Sequence, residues 1–149
     1  MANSCGKLVS VNISKRKSVR KKPIKKVEIL SGFGLKGDVH AGTWHRQVSL
    51  LAIESIEKMK SLGLEVKAGD FGENLTTKGI NLIKLPLGTR LKLGKNVIIE
   101  ITQIGKVCHT KCSIYYRAGD CIMPKEGIFA RVLKGGEIKV GDEIEILKS

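Results

Sequence analysis

Short runs of apolar residues two positions apart, broken by glycine, constrain this chain more than any other feature. Leu91 and Leu93 alternate with Arg90 and Lys92, and Val97, Ile99 and Ile101 alternate with Ile98, Glu100 and Thr102. This is the period of strands that turn one face to a core. In residues 8–13, Val9, Val11 and Ile13 share one predicted face and Ser10 and Asn12 the other. Val27 and Ile29 resume the period up to the turn signal Ser31-Gly32-Phe33-Gly34. Residues 85–93 and 138–146 share a pattern of apolar pairs around Gly88 and Gly141, and each reads as a bend between two short strands.

Helical spacing is confined to two places. Between residues 49 and 62, Leu50, Ile53, Ile56 and Met59 recur at helical intervals, Glu54 and Lys58 are placed to pair, and Gly63 offers a stop. Ile128, Phe129, Val132 and Leu133 fit a second, short helix ending at Gly135-Gly136. Many strands with two helices, and no regular alternation of the two, predict a mainly β fold: a barrel with a few peripheral helices. The 149 residues suit one domain, 1–149, with no low-complexity linker to divide it. With aromatic residues at 4%, Leu, Ile and Val must fill the core.

The net charge of +13 points to an anionic partner, but residues 15–26 hold eight basic residues and no acid, so most of the excess is one patch. Pro23 disfavours a helix there, and the run is expected to be a charged loop between strands. The N-terminus lacks a signal-like apolar stretch, and no window approaches the ~20 apolar residues of a membrane span. A cytoplasmic protein with no membrane partner is the expectation. In that compartment Cys5, Cys108, Cys112 and Cys121 are expected as reduced thiols, which leaves thiol chemistry and metal binding open.

Three stretches carry candidate chemistry. Cys108-His109-Thr110-Lys111-Cys112 follows a predicted strand and loop, and Lys106, His109 and Lys111 supply positive charge that favours a thiolate at Cys108. The alternatives are a cysteine buried as a small apolar residue, or a zinc site from Cys108, His109, Cys112 and Cys121, whose spacings match no usual ligand knuckle. The second stretch is the segment Gly37-Asp38-Val39-His40-Ala41-Gly42-Thr43-Trp44-His45-Arg46. There Arg46 can grip an oxyanion bidentately, helped by backbone N–H groups at the start of the predicted helix. The alternative is a turn in which Asp38 caps locally and His40 and His45 are structural. In the third, Gly69-Asp70-Phe71-Gly72-Glu73-Asn74-Leu75, the glycines admit a ligand close to backbone and Glu73 and Asn74 orient it, or the whole is a tight turn.

Taken together and in order, these stretches resemble the MOSC family, the domain at the C-terminus of molybdenum cofactor sulfurases. The resemblance rests on the Gly37-Asp38-x-His40-x-Gly42 loop, then Arg46-Gln47-Val48-Ser49-Leu50-Leu51, then Phe71-Gly72-Glu73-Asn74-Leu75, and a cysteine soon after Thr102-Gln103. Residues 119–129, GDCIMPKEGIF, look like a stand-alone bacterial branch. Many relatives place proline before the cysteine, where this chain has Val107.

The resemblance implies a β-barrel that binds the molybdenum cofactor (molybdopterin), with Cys108 as the reactive residue, carrying sulfur as a persulfide or ligating molybdenum. It implies Asp38, His40, Arg46, Asn74, His109 and Lys111 as cofactor-binding residues. The pyridoxal-phosphate desulfurase domain of the sulfurases has no counterpart here, so pyridoxal phosphate is not expected in this chain. The implied partners are a sulfur donor such as a cysteine desulfurase, or an acceptor molybdoenzyme. An alternative within the same resemblance is an oxidoreductase that reduces N-hydroxylated substrates with a partner electron-donor reductase. An alternative of another class is a basic nucleic-acid-binding module, for which Tyr115-Tyr116 is the only adjacent aromatic pair available for stacking.

Overall fold

The computed structural model describes residues 5–16, 20–105 and 127–147. Its strands are β1 (Cys5–Ile13), β2 (Lys22–Ile24), β3 (Lys26–Leu30), β4 (Gly34–Leu35), β5 (Val48–Ala52), β6 (Leu75–Lys78), β7 (Arg90–Leu93), β8 (Val97–Ile104), β9 (Ile128–Lys134), β10 (Gly136–Lys139) and β11 (Glu143–Leu147). One α-helix, α1 (Ile53–Lys60), and a 3-10 turn at Leu82–Lys84 complete the described elements.

Seven strands close on themselves in the order β1, β11, β7, β8, β9, β5, β6, the last returning to β1. Closure pairs the backbone groups that an open sheet would leave at its edges, as in other small barrels. β2 lies against the far end of β1, and β10, β3 and β4 form a separate three-stranded sheet. Every pairing is antiparallel except β5 with β6. A parallel pair cannot be joined by a hairpin, and α1 lies in the crossover between the two. Leu50, Leu75, Leu91, Ile99, Ile128 and Ile144, all fully buried, fill the barrel interior. A second apolar cluster, with Leu51, Ile56, Met59, Phe71 and Phe129, seats α1 against the outside. The barrel with peripheral helical elements is the fold expected from the sequence.

Several local expectations are corrected. The helix predicted from residue 49 begins only at Ile53, because residues 48–52 are strand β5. Leu50 faces the barrel core while Leu51 faces the helix cluster, so β5 is apolar on both faces and its run merges with that of α1. The helix predicted at residues 128–133 is strand β9: Ile128, Ala130 and Val132 enter the barrel while Phe129 faces out to the α1 cluster. The bend at Gly141 joins β10 to β11 as expected, whereas residues 85–87 form no strand and only β7 follows Gly88.

β1 departs from simple alternation. A bulge between Leu8 and Ser10 shifts its register against β6, so Leu8 and Val11 are the fully buried core residues. Ser10 and Asn12, expected on a solvent face, are buried as well. Asn12 earns that place through hydrogen bonds: Nδ2 donates to the Glu73 carbonyl and to Thr76 Oγ1, and Oδ1 accepts from Ser10 Oγ. The described end of the basic run is also strand rather than loop. Residues 22–24 pair with residues 11–13 as β2, and Lys21 is buried. Among the described residues no helix is long and apolar enough to cross a membrane.

Candidate functional site

The second and third candidate stretches meet at one cleft of about 690 Å3. Its walls come from residues 39–44 and Arg46, from Ser49 on β5, from Gly72 and Asn74, and from Phe129 on β9. The volume lies within the range that holds a cofactor-sized molecule.

Two backbone hydrogen bonds and one from an indole pin the first wall in place. Val39 N donates to the Ser14 carbonyl at 2.8 Å, Gly42 N to the Phe33 carbonyl at 2.8 Å, and Trp44 Nε1 to the His40 carbonyl at 2.9 Å. Arg46 lies in this wall with its guanidinium carbon 4.5 Å from the centroid of the Trp44 ring and 5.5 Å from that of Phe129. Two aromatic faces thus hold a planar cation that is only partly exposed. Its Nε is buried and has no hydrogen-bond partner among the described residues. Because Arg46 precedes a strand, the helix N-terminus expected beside it is absent, and the guanidinium is the cationic group the structure places there.

His40 also lines the cleft, and its ring is held from behind. Lys21 Nζ lies 2.7 Å from Asp38 Oδ1, 2.9 Å from His40 Nδ1 and 3.3 Å from Ser14 Oγ. An ammonium group, with donors only, can donate to each of these atoms. Asp38 faces the protein rather than the cleft: it accepts from Lys21, from Ser14 N at 3.0 Å and from His40 N at 3.2 Å. Burial alone would raise the Asp38 pKa, but the Lys21 hydrogen bond, the Ser14 N–H and the Lys21 charge outweigh it and hold the carboxyl below its ordinary value.

Asn74 is both wall and brace. Its Oδ1 accepts from Ser49 N and Ser49 Oγ, and its Nδ2 donates to the Asn12 carbonyl, which ties β5 to β1 beneath the cleft. Glu73, from the same stretch, points elsewhere. It is fully buried, with Oε2 accepting from Gly69 N and Thr76 Oγ1, while Oε1 has no partner among the described residues. Burial raises its pKa, and the bonds from Gly69 and Thr76 oppose that rise only in part.

The cleft adjoins the strand that leads towards Cys108. Thr102 Oγ1 donates to the His45 carbonyl, and His45 Nε2 lies 2.8 Å from Gln103 Oε1. Gly105 N donates to the Gly127 carbonyl at 2.6 Å, so the chain leaves β8 and re-enters β9 at adjacent points. Cys108, His109 and Lys111, together with Cys112 and Cys121, lie outside the described residues.

Of the residues expected from the sequence, His40, Arg46 and Asn74 therefore share one cleft, with Asp38 behind it. Lys21, Trp44, Ser49 and Phe129 were not anticipated there. Trp44, the only tryptophan and two residues before Arg46, carried a usable signal. Lys21 carried none, being one lysine among many.

A family model, the MOSC domain, matches residues 37–145, an interval that begins with the first cleft wall and ends in the last strand of the barrel. The chain belongs to the MOSC domain family. This family is associated with the molybdenum cofactor. Among solved structures, the YuaD protein from Bacillus subtilis is similar with a TM-score of 0.79 and 21% identity, over 95% of each chain. YiiM from Geobacillus stearothermophilus gives 0.70 and 21%, over 96% of this chain and 75% of that one. YiiM from Escherichia coli gives 0.68 and 17%, over 100% and 71%. At these identities the likeness establishes the shared MOSC fold. No curated protein sequence matches the chain.

Proposed function

We propose that this MOSC domain binds the molybdenum cofactor in the cleft and acts as a sulfur carrier or transfer domain centred on Cys108. The observation that carries the reading is Arg46: a guanidinium held between Trp44 and Phe129, with a buried Nε that nothing in the described protein satisfies. An unpaired buried donor costs about 1–3 kcal/mol, a deficit that an anionic acceptor in the cleft would offset. The phosphate of the pterin is such an acceptor, and the ring system suits a cleft of about 690 Å3 with Trp44 on its wall. The residues present thus fit the group.

In this reading Arg46 grips the phosphate, His40 adds a hydrogen bond, and Asn74 and Asp38 hold the walls. The bound cofactor would supply a thiophilic metal centre. Cys108 follows Gly105 by three residues, close in sequence to the hydrogen-bonded corner where β8 meets His45. Its thiolate would attack the outer sulfur of a donor persulfide; a new S–S bond forms at Cys108 while the donor's S–S bond breaks and the donor leaves as thiolate. No external oxidant is needed. A cysteine desulfurase fits the donor role and a molybdoenzyme the acceptor role.

The test is transfer of labelled sulfur from a desulfurase charged with cysteine. The reading predicts one added sulfur on Cys108 by mass spectrometry, lost in Cys108→Ser and retained in Cys112→Ser and Cys121→Ser. Absence of label on Cys108 would contradict the carrier role, and turnover of an N-hydroxylated base with an electron-donor reductase would assign a reductase instead.

A further inference from the structure

We infer that Lys21 is a positioning residue that fixes the His40 imidazole as its Nε2–H tautomer, making it a neutral hydrogen-bond donor on the cleft wall. The inference deepens the cofactor-binding reading, but the chemistry that carries it does not depend on the ligand. The Lys21 side chain is fully buried and its Nζ is 2.7 Å from Asp38 Oδ1, the separation of a charged pair. An ammonium has only donors. Its 2.9 Å approach to His40 Nδ1 is attractive only if that nitrogen presents its lone pair. The single ring proton of the neutral imidazole is then on Nε2.

The geometry around the ring reinforces this assignment. Asp38 Oδ2 accepts the His40 backbone N–H at 3.2 Å, and Trp44 Nε1 donates to its carbonyl at 2.9 Å, so the residue is held at both ends. Nδ1 is on the side of the buried ammonium, and His40 lines the cleft. A proton placed on Nδ1 would meet the ammonium head-on, so the imidazolium is disfavoured as well as the other tautomer. The cleft wall thereby carries two different groups: a permanent cation at Arg46 and a neutral imidazole at His40. A pair of this kind favours an oxyanion without requiring His40 to gain or lose a proton. Lys21 performs this role from within a run of basic residues whose other described members are exposed or partly exposed.

Nitrogen-15 NMR of the histidine rings tests the inference directly, with the His40 signals identified by their loss in His40→Gln. In the intact protein at neutral pH, one Nε2–H pattern with a hydrogen-bonded, unprotonated Nδ1 is expected for His40. Lys21→Met should abolish that pattern, giving mixed tautomers or an imidazolium, and Lys21→Arg, which can still donate, should restore it. An Nδ1–H tautomer or an imidazolium in the wild type would overturn the inference, as would an unchanged pattern in folded Lys21→Met. Should Lys21→Met fail to fold, the wild-type and Lys21→Arg spectra decide. A wild type with the expected tautomer that bound no pterin would count against the functional reading and leave this inference standing.

Discussion

Asp38 and Glu73 are both buried carboxylates, and their surroundings push them in opposite directions. Asp38 is held below its ordinary pKa of 3.8, so the stability it contributes is present above that value and is lost as pH falls through the folded pKa. Asp38→Asn leaves Lys21 charged and buried beside a neutral amide, and a loss of about 3–5 kcal/mol in chemical denaturation is expected. Glu73 has its pKa raised from 4.5, so its proton contributes stability below that value, and the contribution is lost as pH rises through the folded pKa. Glu73→Gln keeps an acceptor for Gly69 and Thr76 while removing the charge. Its melting temperature should therefore stay flat with pH where that of the wild type declines, and at neutral pH it should be at least as stable. At this scale the sequence was legible where a residue type is rare or chemically pointed, as with Arg46 and His40. It was silent on Lys21, since composition cannot distinguish one buried ammonium from its solvated neighbours.

At the scale of elements, β5 and the turn before Glu73 carry the cleft. β5 lies between β9 and β6, with Leu50 in the barrel and Ser49 at the cleft, so Leu50→Ala should cost about 2–5 kcal/mol in denaturant unfolding. Gly69 sits at φ +91°, and a Cβ there would come within 2.3 Å of the Lys21 carbonyl oxygen, which is backbone and cannot yield cheaply. Gly69 also accepts the Lys21 N–H at 3.0 Å. Gly69→Ala is expected to destabilise by about 1–3 kcal/mol and to displace Lys21, which histidine NMR would register as a change at His40. Strands with one buried face were readable from alternation, as β7 and β8 illustrate. β5 and β9 were not, because strands with apolar residues on both faces lose that alternation and Ile128, Phe129 and Val132 happen to fit helical spacing. The β1 bulge was hidden for a related reason: one extra residue inverts the faces without altering composition.

At the largest scale the described residues form a closed barrel whose external loop and strand ends make a cleft lined by His40, Arg46 and Asn74, near the end of β8. Its architecture was legible from the number of short alternating segments, and its family from the order of the glycine-rich segments at 37–42 and 69–75, the run at 46–51 between them and the cysteine that follows Thr102-Gln103. The convergence of two of those stretches was not, since residues 39–46 and 72–74 are adjacent only because β5 and β6 pair in parallel. In the proposed function this cleft holds the molybdenum cofactor through Arg46. The most direct measurement is the molybdenum and oxidised-pterin content of wild type, Arg46→Gln and Cys108→Ser purified from a host that makes the cofactor. Near-stoichiometric pterin is expected in wild type and at least a tenfold loss in Arg46→Gln with the fold intact, and a loss of molybdenum in Cys108→Ser if the thiol ligates the metal. A wild type free of pterin, or a folded Arg46→Gln that retains it fully, would rule this binding mode out.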